Sequence, residues 1–436
     1  MRKVLIITYY WPPSGGSGVQ RWMYFCKYLK DFGIDPIVIT VDEKKASYRF
    51  LDSSFNEKIE GVEVHRTNTR EPLKIYSRII SGNRQSAIPI GFSGESKPTL
   101  FQKISRAIRG NLFIPDSRVG WVAYALDKAR EILSKEDINL IITTGPPHST
   151  HLVGLKLKSE FNVTWFADFR DPWTDLYYNR FLYRTRFALN KDKKLEQRVL
   201  NKADLVLTVG PSMRKHLIQK GNIDANKVYS IYNGYDETDF KDVEYTVDPE
   251  YYTICFVGML TESQPITSFL KALKHFYSLN HSICKHLKFR IVGNVSNDTI
   301  QEIKSVVPEL LIEYIEYVQK KKAISYMLSA DLLLNSLAEM GNSELLISGK
   351  LMEYIAANKP ILCLGNPMGD AAILLNEFEY CRVFDRREDQ QIIDYLSKVF
   401  SFWINKTTFI NNNERYQFYS RYETTRQLAD LIKKQI

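Results

Sequence analysis

The sequence predicts an α/β protein with two domains, each built around a parallel sheet. At 436 residues the chain is long enough for two domains of ordinary size. Short β-branched runs alternate with amphipathic stretches of helix length, which is the pattern of parallel βαβ units. The stretch 236–250 is polar and acidic and contains Pro249, so it marks a domain boundary. We predict an N-terminal domain at 1–236, a linker at 237–250, a C-terminal domain at 251–410 and a final helix at 411–436.

Apolar runs supply the strands of both predicted sheets. Those of the first sheet are Val4–Thr8, Pro36–Thr40, Val62–Arg66, Leu140–Thr144, Thr164–Asp168 and Leu205–Val209. Those of the second are Ile254–Val257, Phe289–Val292, Ile312–Tyr317, Asp331–Asn335 and Pro360–Leu364. Open parallel sheets bind their ligands at the carboxyl ends of the strands. We therefore expect the chemistry to lie in the loops after these strands, at a central cleft between two facing domains.

The overall composition is that of a globular protein without a membrane span. Apolar residues make up 44% and charged residues 25%, and no apolar run is long enough to cross a bilayer. The apolar run at Val4–Thr8 ends without a small-residue cleavage site, so we interpret it as a strand rather than a signal peptide. The five cysteines are scattered and lack ligand spacing, which predicts a reducing, cytoplasmic location and no structural metal.

Positive charge is concentrated in the N-terminal part of the chain. The net charge is +9, and residues 1–236 hold 37 Lys and Arg against 24 Asp and Glu. Such a domain is attracted to an anionic surface, either nucleic acid or the cytoplasmic leaflet of a membrane. Because the chain carries no nucleic-acid-binding motif, we expect a membrane surface and no nucleic acid. This places the protein at the inner face of the plasma membrane.

Two stretches of the N-terminal domain could make that contact. Phe101, Ile104, Ile108 and Leu112 share one face of a predicted helix, and 180–200 mixes aromatic and aliphatic residues with Arg and Lys. Basic amphipathic helices can lie on anionic lipid. The alternative is an apolar stripe that packs on the core and leaves a basic face in solvent, and the sequence leaves both open.

A glycine-rich loop follows the first strand and leads into a helix. Gly15, Gly16 and Gly18 allow backbone N–H groups to approach a ligand closely. A dinucleotide fingerprint would need glycine or alanine at position 21, where the chain has Arg21. We therefore expect Gly15, Gly16 and Arg21 to form an acceptor-side loop rather than an NAD site, and a plain strand-to-helix turn is the alternative.

Two further loops of this domain carry candidate catalytic residues. His148 follows the Leu140–Thr144 strand at a predicted helix start, where an imidazole tends to stay neutral and can exchange a proton near a sugar hydroxyl. Asp168 and Arg170 follow the next strand, where dense charge is costly unless it is paired or used. We assign a catalytic role to all three; the alternatives are a histidine that caps or packs on the helix and a structural ion pair. No other ligands accompany the carboxylates, so we expect no metal.

The C-terminal domain contains a candidate diphosphate site. Lys350 lies at a predicted helix start, where a cation and free N–H groups together can hold a diphosphate. Glu353, one turn further on, can accept a hydrogen bond from a ribose hydroxyl, as acidic residues do in other nucleotide-binding folds. These residues predict a protein that binds a nucleotide-sugar.

Weaker signals from other strand ends complete the predicted donor site. Gly258 and Gly293 allow close approach of a ligand, and the hydroxyls of Thr261 and Ser263 could reach phosphate oxygens. Tyr317 and Val318, which are predicted to contact the base and the ribose, lie at the end of the Ile312–Tyr317 strand. Gly369 begins a predicted helix whose N-terminus could bind the diphosphate. The full set of predicted donor contacts is Gly258, Thr261, Ser263, Gly293, Tyr317, Val318, Glu344, Lys350, Leu351, Glu353 and Gly369.

With these segments in view, the chain resembles family 4 glycosyltransferases of the GT-B fold. The residues that carry the resemblance lie at 9–16, 145–149, 168–173, 231–236 and 349–354. The similarity is greatest to bacterial enzymes of cell-surface polysaccharide assembly. It implies two Rossmann-like domains, with the acceptor in the first and the nucleotide-sugar in the second, and a final helix that crosses back to the first. It also implies a retaining reaction.

The chain departs from the family pattern at two points. Many members have an Arg and a Lys after the first strand of the donor domain, whereas here Gly258 leads into Met259, Leu260 and Thr261. Lys350 would then take over the grip on the diphosphate. The Glu-x7-Glu pair of the family is incomplete, because Leu345 lies eight residues before Glu353. Glu353 is expected to be the ribose-binding member, and the adjacent Glu344 is expected to contact the sugar.

The predicted function is transfer of a sugar from a nucleotide-diphosphate-sugar to a lipid-linked or polysaccharide acceptor in capsule, O-antigen or exopolysaccharide assembly. The reaction is expected to proceed without metal or other cofactor. Two alternatives stay open: a nucleotide-sugar epimerase of the same fold, and a non-catalytic scaffold of that fold at the membrane. Donor binding separates both enzymes from the scaffold, and lipid-dependent transfer separates the transferase from the epimerase.

Overall fold

A computed structural model describes residues 1–48, 51–71, 99–279, 285–339, 341–406 and 414–435. The chain divides into two compact units. Unit 1 comprises Met1–Tyr232 together with Arg421–Ile436, and unit 2 comprises Asn233–Ser420. The predicted linker at 237–250 is thus counted with unit 2, and the chain returns to unit 1 only for its last helix.

Unit 1 is built on a parallel sheet of seven strands in the order β3-β2-β1-β4-β5-β6-β7. The central strands are apolar on both faces, as expected for a parallel sheet covered by helices on both sides. The strands are β1 Arg2–Ile7, β2 Ile34–Val41, β3 Glu63–Thr67, β4 Leu140–Gly145, β5 Thr164–Phe169, β6 Leu205–Thr208 and β7 Val228–Ser230.

Helices connect the strands of this sheet. The first, α1, fills the crossover between β1 and β2 and buries Trp22, Phe25 and Leu29 against the sheet. The helices of this part of the chain are α1 Ser17–Leu29, α2 Leu100–Leu112, α3 Val122–Lys135, α4 Thr150–Glu160, α5 Arg186–Lys202 and α6 Pro211–Gly221.

Unit 2 repeats the plan with a parallel sheet of six strands in the order β10-β9-β8-β11-β12-β13. These strands are β8 Tyr252–Val257, β9 Leu287–Val292, β10 Leu311–Ile315, β11 Leu332–Ser336, β12 Ile361–Leu364 and β13 Cys381–Phe384. The helices are α7 Thr267–Leu279, α8 Asn297–Val306, α9 Lys320–Leu328, α10 Gly349–Ala356, α11 Asp370–Leu375 and α12 Asp389–Ile404.

The last helix, α13, spans Arg421–Lys433 and packs on unit 1. Its buried residues Leu428, Ala429 and Ile432 join the core cluster that contains Trp22 and Phe25 of α1. The sequence placed the start of this segment at 411, which falls among residues outside the described ranges.

The predicted fold class, two parallel-sheet α/β domains, is confirmed. In both sheets the strand order reverses beside the first strand, between β1 and β4 in unit 1 and between β8 and β11 in unit 2. The sequence did not predict the edge strands β7 and β13. Each is three or four residues long, too short for its apolar pattern to stand out from a loop.

Candidate functional site

The helix α10 is attached to the sheet of unit 2 at the point where the strand order reverses. The ladder between β11 and β8 joins Leu332 to Ile254 and Leu333 to Cys255. Beyond these pairs the hydroxyl of Tyr354 accepts a hydrogen bond from the N–H of Val257 at 2.9 Å and donates one to the carbonyl of Leu334 at 3.3 Å. The phenol thus bonds both strands where they separate, which holds α10, with Lys350 in its first turn, at the carboxyl edge of the sheet.

Lys350 extends from that first turn to the end of β8. Its Nζ is buried, has no hydrogen-bond partner among the described residues, and lies 4.0 Å from the centre of the Phe256 ring. A Cβ added to Gly258 would come within 3.1 Å of the same nitrogen. Burial lowers the pKa of Lys350 to about 8. A buried cation without an anion is costly, so this position is suited to an anionic ligand.

Gly258 and Gly293 keep the surface beside Lys350 free of side chains. Their φ angles are +120° and +118°, a region that other L-residues rarely adopt. A Cβ on Gly293 would lie 2.5 Å from the carbonyl oxygen of Gly258, so the turns after β8 and β9 pack backbone to backbone. The structure therefore brings both predicted glycines together at the Lys350 ammonium group.

The hydroxyls of Thr261 and Ser263 lie in the same turn and bond each other at 2.9 Å. Because only one of the two hydroxyl hydrogens is used in that bond, the other can still be donated to a ligand. The carbonyl of Ser263 accepts the N–H of Glu339, which connects this turn to the loop after β11.

Glu353 lies one turn after Lys350 on α10 and forms an ion pair with Lys320. The Oε1–Nζ distance is 3.1 Å, and Lys320 also contacts Asp239 at 2.7 Å. Lys320 opens α9, directly after the loop that carries the predicted base contacts Tyr317 and Val318. The ion pair therefore joins the predicted ribose contact on α10 to the start of α9, two residues after Val318.

Glu344 and Gly369 also lie together. Glu344 is in the turn Ser343–Leu345, and a Cβ on Gly369 would come within 3.0 Å of its Cα. Leu351, in contrast, is fully buried, and its N–H bonds the carbonyl of Ser348. Of the predicted donor contacts, Leu351 thus contributes to the core that supports α10.

In unit 1 Asp168 lies at the end of β5, where the sequence predicted it, and is fully buried. Its oxygens accept hydrogen bonds from the side chains of Arg21 at 3.1 Å, Trp22 at 2.7 Å and Thr144 at 2.8 Å. Hydrogen-bond donors of the protein itself therefore surround the Asp168 carboxylate. The ion pair that the sequence suggested with Arg170 forms with Arg21 instead.

Arg21 was predicted to belong to an acceptor-side loop, but it lies in the interior below that loop. It is 1% exposed, and besides Asp168 it donates to the carbonyl of Ile231 at 2.8 Å. It comes from α1, where position 21 points toward the sheet rather than toward the glycines that precede the helix. Gly16 adopts a φ of +93°, with no atom within 4 Å of where a Cβ would stand.

Arg170 connects two loops at the carboxyl edge of unit 1. Its guanidinium donates to the carbonyls of Gly145, Pro146 and Gly18. A Cβ on Gly18 would lie 3.3 Å from its Nη1. Arg170 thus holds the glycine-rich loop against the loop that leads to His148.

His148 is buried in an aromatic stack. Its ring lies 5.1 Å from Trp173 at an interplanar angle of 8°, and it also neighbours Phe169 and His151. Neither ring nitrogen has a hydrogen-bond partner among the described residues. Burial lowers the pKa of His148 well below its usual range and that of His151 to about 3, so both imidazoles are neutral. His148 can therefore donate or accept one hydrogen bond but cannot act as a cation.

Sequence reasoning missed two residues of the site in unit 2, Tyr354 and Lys320. A tyrosine on the apolar side of a short helix must bond its hydroxyl when buried, and this signal could have identified Tyr354. Lys320 gave no comparable signal, because its partners Asp239 and Glu353 are distant in sequence. In the described part of the chain, no group of three or more His, Cys, Asp or Glu could hold a metal ion.

Comparison with known proteins agrees with this architecture. Residues 91–239 match the family model described as Glycosyltransferase Family 4. No curated protein matches the chain by sequence. A glycosyltransferase from Rickettsia africae ESF-5 is 14% identical with a TM-score of 0.62, over 99% of this chain and 98% of that one.

Two further solved structures share the fold. Anabaena Alr3699/HepE, in complex with UDP and glucose, is 14% identical with a TM-score of 0.57 and full coverage of both chains. A Listeria monocytogenes protein proposed to be a UDP-N-acetylglucosamine 2-epimerase is 10% identical with a TM-score of 0.52, over 99% of this chain and 96% of that one. At such identities the likeness shows the fold alone. The chain thus shares the two-domain fold of these structures, and its residues 91–239 match a glycosyltransferase family 4 domain.

Proposed function

We propose that the chain transfers a sugar from a nucleotide-diphosphate-sugar to a lipid-linked or polysaccharide acceptor in capsule, O-antigen or exopolysaccharide assembly. The observation that carries the proposal is Lys350, a buried ammonium group at the carboxyl edge of the unit 2 sheet, with no hydrogen-bond partner among the described residues. A diphosphate supplies the two things this position lacks, a negative charge and hydrogen-bond acceptors.

In this proposal the donor lies along the first turn of α10. Lys350 and the N–H groups at the start of the helix bind the diphosphate, on the surface left open by Gly258 and Gly293. Glu353 accepts a hydrogen bond from the ribose, and the loop with Tyr317 contacts the base. The donor sugar then faces the turn that carries Glu344 and its neighbour Gly369.

In the chemical step the main role of unit 2 is to stabilise the leaving group. As the glycosidic bond to the diphosphate breaks, negative charge develops on the phosphate oxygens beside Lys350, and a preorganised cation there lowers the barrier. Because the ammonium group and the helix start face this charge, we propose that the reaction needs no added metal. We also propose a retaining outcome, in line with the family resemblance.

Unit 1 is proposed to hold the acceptor. His148, as a neutral imidazole with unused ring nitrogens, is the residue of this unit best suited to contact a sugar hydroxyl. Arg170 positions the loops around it, and Asp168 acts indirectly by neutralising Arg21 beneath them. The sequence predicted catalytic roles for three residues. We now propose that His148 contacts the acceptor and that Asp168 and Arg170 position the structure around it.

The first test is a thermal-shift panel on purified protein with UDP-, GDP-, ADP- and dTDP-sugars, with NAD as a negative control. A ligand that binds only the native state raises Tm. We expect one nucleotide-sugar class to raise Tm in the wild type and to lose that effect in Lys350→Ala. A Tm shift of equal size in the variant would show that the donor does not bind at α10.

The second test uses that donor with membrane lipid extract and with soluble saccharides, in the presence and absence of EDTA. Transfer of sugar to either acceptor supports the proposal, whereas conversion of the nucleotide-sugar to an epimer without acceptor would support the epimerase. Donor binding with neither product would support the scaffold. Loss of transfer in EDTA, restored by a divalent cation, would contradict the metal-independent mechanism.

A peripheral position at the inner face of the plasma membrane completes the proposal. In the described part of the chain, no helix is both long and apolar enough to span a membrane. A protein that modifies a lipid-linked acceptor would then need a surface that binds the bilayer from one side.

A further inference from the structure

The helix α2 exposes several of its apolar side chains to solvent. Leu100, Ile104 and Leu112 recur at four-residue spacing or its multiple, so they share one face of the helix. Leu100 is 75% exposed and Leu112 is 72% exposed, whereas Arg106 on another face is buried. A surface helix of a globular protein normally shows the reverse arrangement, with its apolar stripe on the core.

The start of α5 shows the same reversal. Phe187 is 76% exposed and Leu189 is also exposed, whereas Asp192 and Glu196 are buried. The buried carboxylates hold the loop after β5, since Asp192 accepts from Trp173 at 2.8 Å and Glu196 from the hydroxyl of Thr174 at 2.5 Å. Internal polar contacts thus occupy the inner side of α5, while its first turn places apolar groups in water.

The two apolar surfaces meet at one junction. The side chain of Asn111, near the end of α2, donates to the carbonyl of Tyr183 at 3.1 Å and accepts the N–H of Thr185 at 2.7 Å. Gly110 packs so closely that a Cβ there would lie 2.4 Å from the carbonyl oxygen of Leu182. Exposed Leu112 therefore lies beside the segment that carries exposed Tyr183 and Phe187. We call the exposed side chains of Leu100, Ile104, Leu112, Tyr183, Phe187 and Leu189 the apolar patch.

Positive charge surrounds the apolar patch. Lys103 neighbours Ile104, Arg186 neighbours Phe187, and Lys191 and Lys194 follow Phe187 on the same face of α5. All four basic side chains are exposed. The segments 99–112 and 176–195 contain a single acidic residue, Asp192, which is buried and paired with Arg184. The exposed surface of these two segments is therefore apolar and cationic.

We infer that the apolar patch is a docking surface for an anionic lipid bilayer, with its apolar side chains among the acyl chains and its lysines and arginines at the headgroups. Exposed Leu, Ile and Phe side chains bordered by basic residues match the two layers of an anionic membrane surface. A second copy of the chain fits less well, because patch-to-patch contact would bring like charges together. The exposure of Leu112 and Phe187 supports the membrane interpretation of these stretches, whereas Ala188, Val199 and Leu200 of α5 are buried.

The test is co-sedimentation of the full chain with vesicles of phosphatidylcholine alone or mixed with phosphatidylglycerol. Ile104→Ser combined with Phe187→Ser removes one apolar anchor from each helix. Lys191→Gln combined with Lys194→Gln removes two charges. Phe418→Ser in unit 2 is the matched control, because Phe418 is 59% exposed and far from either segment in sequence. Circular dichroism melts check that each variant is folded.

We expect the wild type to bind the mixed vesicles and to bind phosphatidylcholine vesicles far less. The apolar double variant should bind roughly tenfold or more weakly, the charge variant should lose most of its preference for phosphatidylglycerol, and Phe418→Ser should bind like the wild type. Equal binding by the apolar variant and the wild type would overturn the inference. A dimer that becomes monomeric in the apolar variant, seen by sedimentation velocity, would assign the patch to a second copy instead.

This inference extends the proposed function, because a lipid-linked acceptor is presented at a membrane. It is nevertheless tested without donor or acceptor. Failure of vesicle binding with an intact Tm shift by a nucleotide-sugar would reject the docking surface and leave the donor site in place, and the opposite result would reject only the donor site.

Discussion

At the carboxyl edge of the unit 1 sheet Asp168 and Arg21 neutralise each other, whereas at the same edge of the unit 2 sheet the ammonium group of Lys350 is buried without a hydrogen-bond partner among the described residues. Both edges lie where the strand order reverses, which is where open α/β sheets bind ligands. A charge that the protein satisfies itself supports architecture. A charge that the protein leaves unsatisfied is available to a ligand, so Lys350 is the better guide to function.

His148 stands between these two cases. It is held by stacking on Trp173, as a structural residue would be, yet its ring nitrogens have no hydrogen-bond partner among the described residues. Its environment keeps it neutral, which suits a contact with an uncharged hydroxyl and not with a diphosphate. The two units therefore differ in the kind of group that their buried polar side chains can accept.

The largest expected effect comes from breaking the satisfied pair. Asp168→Ala leaves Arg21 buried without its anion, so the free energy of unfolding should fall by about 3–5 kcal/mol. Urea denaturation followed by circular dichroism measures it, and adding Arg21→Met to Asp168→Ala should recover part of the loss. A variant as stable as the wild type that has lost only transfer activity would make Asp168 a catalytic group and break the comparison.

The second effect concerns donor affinity and not stability. Lys350→Met keeps most of the length of the side chain but removes the charge, so donor binding measured by calorimetry should weaken by about 1.5–3 kcal/mol, or roughly tenfold to a hundredfold. The free energy of unfolding should stay the same or rise, since a buried unpaired cation is lost. A large fall in the free energy of unfolding with unchanged donor affinity would show that Lys350 supports the fold and does not bind the donor.

The third prediction is a pH dependence of donor binding. Burial lowers the pKa of Lys350 to about 8, so the ammonium group carries its charge below that pH and loses it above. Affinity should be constant at neutral pH and should fall, as pH rises through 8, toward that of Lys350→Met. Because the ordinary lysine pKa is 10.5, the stability cost of burying this charge is full below about 8 and vanishes as pH rises to 10.5. A wild-type affinity that tracks the variant at every pH would exclude Lys350.

A smaller effect is expected from Tyr354→Phe. The variant leaves the N–H of Val257 and the carbonyl of Leu334 without the phenol, which should lower the free energy of unfolding by about 1–2 kcal/mol. Because the phenol anchors α10 beside Lys350, donor affinity should fall several-fold as well. Tyr395→Phe, which removes another hydroxyl bonded to a carbonyl in unit 2, is the control and should leave affinity unchanged.

The smallest expected effect comes from the half-exposed ion pair of Glu353 and Lys320. Breaking it by Lys320→Gln should cost only about 0.2–1 kcal/mol of stability. Glu353→Gln should cost as little stability but should weaken donor binding more than Lys320→Gln does, if Glu353 accepts a hydrogen bond from the ribose. Equal donor affinity in the two variants would assign Glu353 to the ion pair alone.

Much of the fold followed from patterns that are local in the chain. Apolar runs separated by helix-length stretches predicted the central strands, because parallel strands are buried on both faces and have uniform apolar sequences. The strands β7 and β13 escaped prediction, since each has only three or four residues, too few for an apolar pattern to stand out from a loop. Lys350, Gly258 and Gly293 were also predicted from local signals, a helix start and two glycines after strands.

The sequence by itself determined the two parallel sheets, the excess of positive charge in the N-terminal part and the presence of Lys350 at a helix start. These features depend on residue spacing and composition, which the chain carries without folding. Only the tertiary structure decided that Asp168 pairs with Arg21, that Tyr354 bonds β8 to β11, and that α2 and the first turn of α5 expose several apolar side chains. Partners 147 residues apart, like Arg21 and Asp168, are chosen by packing, so no local pattern can indicate which charges are neutralised and which are left for a ligand.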